Sequence, residues 1–90
     1  MANSLFDKHY AKALADVFNE KMYEDRLSLD DVATLTGTKY NTLFRYMSGS
    51  RQMPIDLFKK ICEVLNLDFA QTFRKVNQIA VNETINEVDL

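Results

Sequence analysis

The sequence predicts an all-α domain of five helices. Apolar residues recur three and four positions apart in five separate segments, and no segment alternates apolar with polar residues over the length of a strand. The chain's two glycines, Gly37 and Gly49, both fall at segment boundaries. Ninety residues make one domain at most, with 47% hydrophobic and 27% charged residues to divide between a modest core and its surface.

In the first segment Phe6, Tyr10, Ala13, Leu14, Val17 and Phe18 form an apolar stripe, and Ser4 followed by Asp7 reads as a capping box. A helix of about five turns is expected. A second box, Ser28 with Asp31, opens a short helix whose inward positions are Leu29, Val32, Ala33 and Thr36. Asp30 and Asp31 complement its dipole, and Gly37 is its left-handed stop. The third helix is expected from about Lys39 to Ser48, with Leu43 and Tyr46 turned inward and Gly49 at positive φ beyond its end. Pro54 and Asp56 open a fourth helix with Phe58, Ile61, Cys62 and Leu65 as its stripe. Asp68 caps a fifth, where Phe69, Phe73, Val76 and Ala80 share one face. Beyond Ala80, Val81, Ile85 and Val88 drift off that face among asparagines and β-branched residues, so residues 81–90 are expected to fray. Residues 1–76 are read as the domain and 77–90 as a tail.

Net charge is -2, yet its distribution is uneven. Residues 37–62 carry five bases against Asp56, whereas residues 24–36 hold four acids with one base and residues 63–90 five acids with two bases. The positive charge surrounds the third helix, and clustered Lys and Arg are the footprint of phosphate binding. One cysteine forms no internal disulfide, and no apolar run is long enough to span a bilayer. The chain reads as soluble and cytoplasmic, with no membrane role.

A helix, a tight glycine turn and a second helix, with small Ala33 where the two cross, describe a helix-turn-helix. The stretch "LSLDDVATLTGTKYNTLFRYMSGSRQMPIDLFKKICEVLNLD", residues 27–68, resembles the helix-turn-helix domain of the lambda-repressor-like group, which includes phage repressors, Cro proteins and xenobiotic-response-element regulators. The resemblance rests on Ser28, Ala33, Gly37, the Thr42-Leu43 pair, Arg45, the Ser48-Gly49 stop and Ile61-Cys62. It implies a five-helix domain whose third helix enters the DNA major groove. On this resemblance Tyr40, Asn41 and Arg45 are base readers, Asn41 suited to adenine and Arg45 to guanine. Lys39, Arg51 and Lys59, with the free amides at Ser28 and Leu29, fall where the family holds phosphates. The sequence departs from the family in three places: Leu29 stands where glutamine is common, Lys39 where a capping serine is common, and Phe44 puts an aromatic on the outward face. The first helix is also extended.

Without the motif around them, Lys39 and Arg45 would read as solvated charges. Tyr40 can instead pack over the end of the second helix. Phe44 has three readings: contact with a thymine methyl, packing on Met47, or contact with a protein. Cys62 lies on an inward stripe and reads as a small core residue. His9 is the chain's one histidine, so a zinc site lacks ligands, and no nucleophile triad, phosphate loop or dinucleotide fingerprint occurs. Glu24 with Asp25, and Asp30 with Asp31, sit at helix ends as solvated or dipole-compensating charges. An enzyme, a cofactor and a small-molecule ligand are not expected. The expected activity is sequence-specific binding of double-stranded DNA by a homodimeric transcription regulator, its dimer contact in the tail. Control would come from protein level, oligomerisation or a protein regulator. The rival expectation is an antitoxin-like or antagonist module that uses the same helices to bind a protein, favoured by the acidic total and by Phe44.

Overall fold

Three of the five helices start on a side chain that accepts one of their free first-turn amides. The computed structural model describes residues 4–88, which form α1 (Leu5–Glu24), α2 (Leu29–Thr36), α3 (Tyr40–Met47), α4 (Ile55–Val64) and α5 (Phe69–Val88), with no strand among the described residues. The Ser4 hydroxyl accepts from the Asp7 amide at 3.0 Å, and the Asp68 carboxylate accepts from the Gln71 amide at 2.8 Å. At α2 the box is reciprocal: Asp31 N–H donates to the Ser28 hydroxyl at 3.1 Å and Ser28 N–H to the Asp31 carboxylate at 2.9 Å.

The helix ends share one device. After α1, α2 and α4 a single residue turns left-handed, Arg26 at φ 57°, Gly37 at φ 69° and Asn66 at φ 56°. The next amide then reaches back five residues, Leu27 to Met22 O at 2.9 Å, Thr38 to Ala33 O at 2.9 Å and Leu67 to Cys62 O at 2.8 Å. This double-bonded stop satisfies carbonyls that the helix itself leaves open. Leu27 and Leu67 then pack against the core, which joins the end of one helix to the cap of the next.

The core gathers Leu14, Phe18 and Met22 of α1, Val32 and Ala33 of α2, Leu43 and Met47 of α3, Phe58, Ile61 and Cys62 of α4, and Val76 of α5. Aromatic rings run through it, with Phe58 meeting Phe18 edge-on at 5.4 Å and Phe69 at 4.9 Å, while Phe73 links Phe58 to Tyr10 of α1. Helix α1 is buried on more than one side. Its alanines Ala11, Ala13 and Ala15 are all inside, and such small side chains let neighbouring backbones approach.

Three expectations are corrected. Met47, not Tyr46, is the second inward residue of α3, because Leu43 and Met47 lie one turn apart on the face toward α1 and α2, whereas Tyr46 is half-buried at its edge. Residues 81–88, expected to fray, continue α5 without a break. Tertiary packing outweighs their low propensity: Ala80 is fully buried, Ile79 packs against the core, and Glu87 meets His9 of α1 at 3.1 Å. On α5, Thr72 is buried while Phe73 stays partly exposed.

Candidate nucleic-acid interface

Helix α3 is short, and little of its stability is intrinsic, because eight residues provide few internal hydrogen bonds. Leu43 and Met47 anchor its inner face. Its C-terminal end is held by polar groups as well. The Asn19 side chain of α1 donates to Met47 O at 2.9 Å, and the Ser48 and Ser50 hydroxyls donate to Arg45 O at 2.8 and 3.1 Å. Gly49 follows at φ 79°, so close to α1 that a Cβ there would lie 3.2 Å from Lys12 Cα and 3.7 Å from Ala15 Cβ. Glycine is needed at this corner for backbone conformation and for room; at Gly37, where a Cβ would meet nothing within 4 Å, it is needed for conformation alone.

The N-terminal end is different. Lys39 occupies the cap position without a side-chain hydrogen bond, leaving the first-turn amides of α3 with no side-chain acceptor.

The outward face of α3 carries Tyr40, Asn41, Phe44 and Arg45, all exposed. Tyr40 and Phe44 stand one turn apart with ring centroids at 6.3 Å and planes within 25° of each other. Neither belongs to the residues packed on the core, so Tyr40 leans on Phe44 and Phe44 does not turn in toward buried Met47. Asn41 and Arg45 form a second column beside the aromatic one. Lys39 and Arg51 are exposed near the two ends of the helix, and among the described residues neither they nor Arg45 makes an ion pair or a side-chain hydrogen bond. Between Asp31 and Asp56 the chain has no acidic residue at all. The side chains of α3 and of the turns on either side of it therefore carry only positive charge, although the protein is acidic as a whole.

Not every expected contact residue joins this face. The Ser28 amide is not free: the Asp31 carboxylate occupies it, and Asp30 and Asp31 make the start of α2 a poor place for a phosphate. Leu29 is half-buried against the core. The Lys59 ammonium on α4 lies 5.5 Å from the Phe69 ring centroid, a cation–π contact within the protein. Sequence reasoning missed Asn19, Ser50 and Ala15, which position α3 without belonging to its surface. No local signal marks them, since contacts between α1 and α3 are non-local.

Elsewhere a cleft of about 200 Å³ between α1 and α5 is lined by His9, Lys12, Ala13, Asp16, Ile79 and Glu83. It is smaller than pockets that enclose drug-sized ligands. Among the described residues no three His, Cys, Asp or Glu side chains converge to hold a metal, and no helix is long and apolar enough to cross a membrane. Burial pushes the Cys62 thiol up to about 11, which keeps it protonated and unreactive in the core. No protein-family model, curated protein or solved structure matches the chain.

Proposed function

We propose that the protein is a sequence-specific double-stranded DNA-binding regulator of transcription of the lambda-repressor-like, helix-turn-helix kind, with α3 as its reading helix and no catalytic role. One observation carries the reading: Asn41 and Arg45 stand exposed one turn apart on the outer face of α3, inside a stretch free of acidic residues. An amide matches adenine and a guanidinium matches guanine in the major groove, and both side chains point away from the protein that anchors them. Lys39 and Arg51 flank them where phosphates would run. The protein acts as a homodimer, because one short helix reads only a half-site, and two copies would place their α3 helices roughly 34 Å apart on one face of the duplex. The dimer contact is the exposed stripe Val81, Ile85 and Val88 on α5, spaced four and three residues apart.

Selection of binding sites from random duplex DNA at two salt concentrations tests the reading. Enrichment of one motif, with affinity falling as salt rises, is the expected result; recovery of no motif at either salt rejects it. The exposed Tyr40–Phe44 pair and the acidic total support a second reading, an antitoxin-like or antagonist module whose α3 face binds a protein regulator.

A further inference from the structure

The Tyr40–Phe44 pair takes no part in the hydrophobic core. The core's aromatic contacts link α1, α4 and α5, while this pair lies outside them, 45% and 53% exposed. Exposing two neighbouring rings to water is unfavourable by roughly 25 cal/mol for each Å² of apolar surface, so they point to an apolar partner. The charge around them restricts what that partner is: Arg45 is exposed on the same helix, Lys39 and Arg51 are exposed just before and just after it, and no acid lies between Asp31 and Asp56 in the chain, so a polyanion is the favoured occupant. The base edges of the DNA major groove offer one apolar group, the C5-methyl of thymine. That methyl lies across the base pair from the adenine edge that an asparagine reads, and on α3 the aromatic column lies beside Asn41.

Resting on the DNA-binding reading above, we propose that the Tyr40–Phe44 pair is a reader of thymine C5-methyl groups, so that the half-site carries thymine in or beside the base pair whose adenine Asn41 contacts. The Asn41 amide donates to adenine N7 and accepts from its N6 amino group, the rings cover the methyl, and the two columns together distinguish A·T from every other pair at that place. Tyr40 and Phe44 are thereby specificity-determining residues, and Phe44 carries the larger share because it is the more exposed.

The test uses the selected operator and a copy in which deoxyuridine replaces thymidine, which removes only the methyl. The unaltered protein should bind the uracil operator about fourfold more weakly for each methyl that the rings cover, the equivalent of one buried CH₂. Phe44→Ala should bind the thymine operator more weakly and should no longer discriminate thymine from uracil; its thermal melt checks that the exposed site has left the fold intact. Equal binding of both operators by the unaltered protein overturns this proposal while leaving DNA recognition standing. Discrimination that persists undiminished in Phe44→Ala also overturns it. Failure of any duplex to be selected instead overturns the DNA-binding reading on which it rests, and with it the proposal.

Discussion

At the scale of single residues, the side chains of α3 divide by what they would touch. Asn41→Ala or Arg45→Ala should cost about 1–3 kcal/mol on the selected operator and relax its sequence preference, because a base-edge contact is lost. Lys39→Ala or Arg51→Ala should weaken all duplexes alike and lower the salt slope by about one. Titrations of the four variants on specific and random DNA check the division; equal losses throughout would reject it. Cys62 makes a separate prediction. With a thiol pKa near 11, roughly one molecule in a thousand carries the thiolate at pH 8, so alkylation in the folded protein should be slow and should accelerate sharply on unfolding. The α2 cap gives a pH dependence. The Ser28 amide holds the Asp31 carboxyl below its ordinary value, so its contribution to stability is fully present above about pH 4 and fades as the pH falls through the lowered value. Asp31→Asn should therefore lower the melting temperature at pH 7, and the difference should shrink in more acidic buffer.

At the scale of elements, the helix ends decide where the chain turns. Gly37→Ala should cost about 1 kcal/mol for its left-handed φ alone, whereas Gly49→Ala should cost more, since the added methyl also presses on the α1 backbone. Arg26 is the converse case: it pays the left-handed penalty that Gly37 avoids, so Arg26→Gly should raise stability by roughly 0.5–1 kcal/mol in urea unfolding. These corners show how much of the fold was legible in the sequence. Gly37, Ser28 and Asp68 could be read directly, because capping and glycine turns depend on residues within four positions of one another. Arg26 could not, since arginine has no local signature for a left-handed stop that its neighbours impose. The outward face of α3 was legible as an exposed column pattern, but Asn19, which bonds the last carbonyl of α3 from 28 positions away, was not. The end of α5 was misread because propensity alone predicts fraying, and the burial of Ala80 with the packing of α5 along α1 outweighs it.

At the scale of the whole molecule, two long helices, α1 and α5, pack together to give a body 41 Å in its longest extent, with α1 also touching α3. Phe58 joins α1, α4 and α5 through its ring contacts, so Phe58→Ala should cost about 3–5 kcal/mol and leave a domain this small largely unfolded at 37 °C. The proposed dimer is best tested by Val81→Glu with Ile85→Glu. Deleting the end of α5 would also strip buried Ala80 and the Glu87 contact to His9. The double variant should melt as a cooperative monomer in sedimentation, keep affinity for one half-site, and lose affinity for a two-half-site operator. A variant that still sediments as a dimer would place the interface elsewhere, most plainly on the extended α1.

The unequal ends of α3 make it a cantilever. Its far end is clamped to α1 by Asn19 and by the seat of Gly49, while its near end, which carries Tyr40 and Asn41, begins without a cap. A beam held this way bends at its free tip, so amide hydrogen exchange should be slower toward Met47 than toward Tyr40. A partner gripping the tip would stiffen it, so the added protection on binding should be greatest in the first turn and nearly nil at the clamp.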